Sequence, residues 1–133
     1  MSHGEQLICH PRAYDLDGFE RLAVVAKNAG FTHVVISDLA ERTDYRETSR
    51  AADVDRFFRA LAEESDLVRV ESFGTSPEGR DLKIVVLGHG RPVVLVLCNI
   101  HAGEVCGKEA CQMLAREIVR DRPAWLDRMT LLI

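Results

Sequence analysis

The segment Val93-Val94-Leu95-Val96-Leu97-Cys98 is apolar at every position, and Asn99-Ile100-His101-Ala102-Gly103-Glu104 follows it directly. A strand with one face in water alternates apolar and polar side chains. An uninterrupted apolar run instead predicts a strand over 93–100 that is covered on both faces and central in its sheet. A long helix is predicted over 104–121, with Cys106, Ala110, Met113, Leu114 and Ile118 on its apolar side and Pro123 ending it. Met129-Thr130-Leu131-Leu132-Ile133 reads as a further buried strand. Strand, helix and strand in this order imply an α/β architecture with a ligand site beyond the carboxyl ends of the strands.

The preceding residues supply the rest of that sheet. Val54, Phe57, Phe58 and Leu61 recur at helical spacing, which predicts a helix over 51–64 with one buried face and Ser49 available as its cap. Strands are predicted over 67–73 and 82–87, joined through Ser76-Pro77-Glu78-Gly79. In that turn proline pre-sets φ and glycine accepts a positive φ, so the two strands form a hairpin. Gly88-His89-Gly90 makes a second turn, with His89 in solvent. Residues 38–50 are polar and lack an apolar period, so they read as a connection. Ahead of them a strand over 7–9, a helix from Asp17 to Gly30 and a strand over 32–37 make one βαβ-like unit. The helix of that unit carries Phe19, Leu22, Ala23 and Ala26 at helical spacing, Asp17 as cap with Glu20 three residues on, and Gly30 at its end. The domain boundaries read from this pattern are 1–48 and 49–133.

Composition removes several function classes. The 17 Lys+Arg against 21 Asp+Glu give a net charge of −4, without a run of like charges, so no nucleic-acid partner is expected. The longest apolar stretch, 92–100, is about half of the ~20 residues a membrane-spanning helix needs, and Ser2-His3-Gly4-Glu5 does not resemble a signal peptide. A cytoplasmic location without membrane association is the expectation. Cys9, Cys98, Cys106 and Cys111 contain no Cys-x-x-Cys spacing and read as reduced, mostly buried thiols. Cys106 and Cys111, five apart on one helix, do not share a face and are not expected to pair.

Position singles out His101 and Glu104. A His and a Glu separated by two small residues across a strand-to-helix turn can converge on one point, and imidazole nitrogen with carboxylate oxygen suits zinc at about 2.0 to 2.2 Å. The same spacing fits a helix whose first-turn Glu104 complements the macrodipole while His101 is a half-buried loop residue. Spacing alone does not separate the two. Arg80 could fork onto a substrate carboxylate or anchor its own hairpin. His10 and His33 read as structural, and Lys108 and Glu109 as solvated helix surface.

Glu78-Gly79-Arg80-Asp81-Leu82, then Arg91-Pro92-Val93-Val94-Leu95-Val96, then Asn99 through Ala110 in the order His-Ala-Gly-Glu-Val-Cys-Gly-Lys-Glu-Ala after Asn-Ile, together resemble the amino-terminal portion of the zinc carboxypeptidases related to carboxypeptidase A. The resemblance covers about residues 52–133. It implies a partial mixed-sheet zinc-carboxypeptidase-like sandwich preceded by the short βαβ-like unit, a Zn2+ cofactor, and His101 and Glu104 as its first two protein ligands. It also implies a peptide or acyl-amino-acid substrate, hydrolysed by zinc-activated water at a C-terminal residue.

This sequence departs from that family in informative places. The residue before the ligand Glu, often an Arg that helps hold substrate, is Gly103 here. No His follows His101, and the family's Asn-Pro-Asp-Gly segment and its downstream Arg, Tyr and general-base Glu are absent. The chain therefore reads as an incomplete and inactive fragment of a metallopeptidase, with a truncated sheet edge able to self-associate. An aspartoacylase or succinylglutamate desuccinylase-like amidohydrolase shares the His-x-x-Glu arrangement, although the Glu-Gly-Arg hairpin favours the peptidase branch. A non-catalytic α/β metal-binding or interaction module is the reading from a different class. Residues 1–48 do not fit the carboxypeptidase pattern; their Gly30-Phe31-Thr32-His33-Val34-Val35-Ile36 is similar to the opening βα step of a (β/α) barrel.

Overall fold

The computed structural model describes the backbone of residues 6–9 and 33–36 and the whole of residues 38–133. The chain divides into two compact units, Met1–Ser37 and Asp38–Ile133. In the first, β1 (Gln6–Cys9) and β2 (His33–Ile36) pair in parallel, Gln6 opposite His33 and Cys9 opposite Ile36. Parallel neighbours require a crossover connection. The helix predicted between them, with Phe19, Leu22, Ala23, Ala26 and its Gly30 end, lies outside the described residues, as does His10.

The second unit is an α/β assembly around a four-stranded mixed sheet in the order β3-β4-β6-β5. It begins within the stretch read as a connection. Asp38 caps a short helix α1 (Leu39–Arg42) by accepting from the Glu41 N–H at 2.8 Å. Arg116 pairs with the Glu41 carboxylate through both guanidinium NH2 groups, so residues 38–50 pack with this unit. Helix α2 (Ala51–Glu64) forms where the apolar period predicts it, burying Phe57, Phe58, Ala60 and Leu61. Phe57 and Phe58 meet edge to face with ring centroids 5.4 Å apart. Its start differs from expectation. Arg50 takes the cap position, its N–H bonded to the Asp53 carboxylate at 2.9 Å, while Ser49 is buried in another network.

Strands β3 (Val68–Thr75) and β4 (Asp81–Gly88) form the predicted antiparallel hairpin, with a bulge between Ser72 and Gly74. Its turn is closed by Ser76 N–H to Arg80 O at 2.8 Å, and Gly79 takes the φ of 77° that glycine adopts without penalty. β4 then passes into the core, where Val85, Val86 and Leu87 are all buried. β5 (Val93–Leu95), helix α3 (Cys106–Asp121), a 3-10 turn (Ala124–Arg128) and β6 (Thr130–Leu132) complete the unit, with β5 and β6 parallel and β6 antiparallel to β4. Arg122, in the left-handed region at φ 42°, ends α3 just before Pro123.

Two expectations are corrected here. The apolar run is not a central strand: β5 covers three residues, pairs only with β6, and leaves Val93 and Leu95 each 53% exposed. A run apolar on both faces is central only if strands flank both its edges, and among the described residues β5 has a neighbour on one edge alone. The central positions belong to β4 and β6. Helix α3 is also rotated from the predicted face. It buries Glu109, Cys111, Gln112, Ala115 and Ile118, while Ala110 and Leu114 are exposed and Met113 is half-buried. Close packing of the helix against the sheet selects small side chains, and Cys111 and Ala115 supply them.

Candidate functional site

The chain leaves β5 still tied to the sheet by Val96 N–H to Leu132 O at 2.8 Å, then turns at Asn99, whose φ of 59° is one that asparagine tolerates better than most residues. A tight turn follows, with Glu104 N–H on His101 O at 3.0 Å. This turn brings the two predicted ligands together: His101 Nδ1 lies 2.8 Å from Glu104 Oε1, and the His101 N–H points to Oε2 at 3.4 Å. Helix α3 starts at Cys106, two residues later than predicted, so Glu104 precedes it and folds back onto His101 instead of entering its first turn. Both side chains are open to solvent, at 79% and 56%. The two side chains meet at hydrogen-bond distance, with the direction of the bond set by the imidazole tautomer.

That geometry fits half of a zinc site. The donor atoms converge without engaging any core group. Imidazole and carboxylate are the right donor chemistry for zinc. Among the described residues no third His, Cys, Asp or Glu joins them. Asn99, on the same turn, has a buried Oδ1 without a partner among the described residues.

The turn forms part of the rim of a cavity of about 790 Å³. Ala102 and Val105 line it beside the pair, Val54, Phe58, Val85 and Ile133 make it apolar, and Arg50 and Lys108 add charge. Lys83 bridges β4 to α2 through Asp55 across one side. Burial would push the Asp55 carboxyl up, but bonds from Lys83 and Arg59 hold it below its ordinary value. Arg80 is not part of this lining. It sits exposed on the hairpin turn, its side chain paired with Glu78 and its N–H bonded to Ser76 Oγ at 3.1 Å.

The sequence reading missed the polar cluster behind the turn. Glu109, expected in solvent, is buried; it accepts from Thr48 Oγ1 and Ser49 N–H at 2.6 Å each and from Ser49 Oγ at 2.8 Å. Gln112 Nε2 adds a bond at 3.1 Å, and Lys108 Nζ, itself largely covered, lies 2.9 Å away. Burial would raise the Glu109 pKa, yet the donors from Thr48, Lys108 and Ser49 outweigh it and lower it to about 2. These bonds lock the first turns of α3, and hence the loop carrying Glu104, to the start of α2. No sequence period marks Glu109, because Thr48 and Ser49 lie about sixty residues away.

A family model described as zinc carboxypeptidase matches residues 54–130. The chain belongs to the zinc carboxypeptidase family. The match spans all but the first three residues of α2, the hairpin, β5, the His101–Glu104 turn, α3 and the first residue of β6. It leaves Met1–Ser37 outside, as the division into units does. A comparison with curated proteins finds no significant match. Among the described residues of this zinc carboxypeptidase relative, no helix is long and apolar enough to cross a membrane.

Proposed function

We propose that this chain carries the first two zinc ligands, His101 and Glu104, of a metallocarboxypeptidase that removes C-terminal residues from peptides. The observation that carries this reading is the 2.8 Å approach of His101 Nδ1 to Glu104 Oε1 on the turn between β5 and α3. The match to the zinc carboxypeptidase family over 54–130 supports it. Bound zinc would polarise a scissile carbonyl and lower the pKa of its water towards ~7.

The chain's own residues do three things in such a reaction. His101 and Glu104 present nitrogen and oxygen donors from one turn. The Glu109 cluster holds the base of that turn, since α3 cannot slide without breaking its bonds to Thr48 and Ser49. Ala102 and Gly103 keep bulky side chains away, and nothing lies within 4 Å of where a Gly103 Cβ would be, so a substrate can approach there. No histidine follows His101 in these 133 residues to serve as a third ligand. Peptide hydrolysis needs a third ligand and a base beside the metal, so the pair by itself supplies metal donors and not the whole reaction.

A second reading, a metal-binding module without catalysis, is favoured by the pair's lack of a third donor among the described residues. Zinc titration of the purified chain by calorimetry tests the ligand assignment. Weak one-to-one binding lost in both His101→Ala and Glu104→Ala is expected; binding that both variants retain would refute it.

A further inference from the structure

Helix α3 has a glycine in its first turn where the chain leaving β5 crosses it. A Cβ added to Gly107 would stand 2.8 Å from Cys98 Cβ, closer than carbon atoms approach, so the bare glycine is what lets Cys98 lie against the helix. Cys111 is one turn further along and on the same face, because residues four apart are neighbours on a helix surface. Cys98 is close enough to Cys111 to act on its thiol. Both line the cavity beside the His101–Glu104 turn.

We propose that Cys98 and Cys111 form a thiol pair that closes to an intramolecular disulfide by exchange with a low-molecular-weight disulfide, tying the end of the β5 segment to helix α3. This modification site is independent of zinc binding and of peptide hydrolysis. Its two sulfurs differ in access. Cys98 is half-buried on the cavity wall, whereas Cys111 is 5% exposed. Burial, and then the neighbouring Cys98, push the Cys111 thiol up to about 11, so it is the poorer first nucleophile.

The order of steps follows from that difference. The Cys98 thiolate attacks one sulfur of oxidised glutathione, the S–S bond of glutathione breaks, and one glutathione thiolate leaves and takes up a proton. Cys111, losing its proton to solvent, then attacks the Cys98 sulfur and displaces the second glutathione. Two protein thiols are oxidised by two electrons, and one oxidised glutathione is reduced to two thiols. Cys106 cannot substitute, since it is exposed and lies on another face of α3.

The test incubates the chain with oxidised glutathione, alkylates the remaining thiols, and maps peptides without reduction. Loss of two of the four thiols is expected, with one cross-linked species joining Cys98 to Cys111. It should persist in Cys106→Ser, and Cys111→Ala should stop at a glutathione adduct on Cys98. The same treatment in denaturing urea should yield mixed pairings, because proximity in the fold directs the bond. Four thiols still free, a stable Cys98 adduct in the parent chain, a bridge to Cys106 or Cys9, or equal Cys98–Cys111 bridging in urea would each overturn the assignment.

Discussion

Glu109 and Ser49 are joined by two hydrogen bonds, from the Ser49 N–H at 2.6 Å and its hydroxyl at 2.8 Å, across sixty residues of chain. Both residues are buried. The contact fixes where α2 begins and where α3 begins in one step, and so sets the position of the turn that carries His101 and Glu104. An ionised buried carboxylate is tolerated only with donors of this number and quality.

Acid should therefore weaken the fold through Glu109. Its folded pKa of about 2 lies below the ordinary 4.5, so its contribution is complete above pH ~4.5 and is lost as pH falls towards ~2. The shift corresponds to ~3 kcal/mol. Glu109→Gln should lose about that amount at pH 7 and flatten the acid dependence in this window. Urea unfolding at a series of pH values measures both; an unchanged acid slope in the variant would assign the effect to another carboxylate.

Gly107→Ala should destabilise the unit, against the usual trend. In an exposed helix interior the exchange gains about 1 kcal/mol. Here the new methyl meets Cys98 Cβ at 2.8 Å, and its relief requires moving the β5 segment away from α3. A net loss of ~1–3 kcal/mol is expected. Chemical denaturation reads it directly, and a gain in stability would show that the segment yields without cost.

The parts of the fold that were legible in sequence are those where large apolar residues or turn chemistry set local structure. Phe57, Phe58 and Leu61 announced α2, and Ser76-Pro77-Glu78-Gly79 announced the hairpin. The His101–Glu104 contact was legible because it spans one turn. α3 was misread because Met113 and Leu114 outweigh Cys111 and Ala115 in any hydrophobic pattern, although the small residues are the buried ones. β5 was misread because composition reports what a strand could bury and not what the described residues place beside it. The Glu109 cluster and the Cys98–Cys111 pair were invisible for a common reason: each joins residues whose neighbourhood only the folded chain creates.

The outer edge of β5 should drive self-association. Val93, Val94 and Leu95 are 53%, 40% and 53% exposed on a strand with no partner on its second edge among the described residues. Unpaired apolar edges template pairing with another chain. Sedimentation velocity should show a concentration-dependent increase in mass that Leu95→Lys reduces, with stability changed by less than ~0.5 kcal/mol because the side chain is exposed. A parent chain that sediments as one sharp monomer at all concentrations would refute this edge as an interface.

Hydrolysis by the isolated 133-residue chain should be negligible even with zinc supplied. Its five histidines include none after His101. Two donors leave a cation weakly held and without a positioned base, and a catalytic zinc normally has three protein ligands with one open position. Release of a C-terminal residue from a blocked dipeptide should match the rate in buffer containing the same zinc. His101→Ala should leave that rate unchanged and, with its side chain 79% exposed, shift stability by no more than ~0.5 kcal/mol. Hydrolysis above background that His101→Ala abolishes would mean that the chain completes its metal site with groups outside the pair, and the fragment reading would fall.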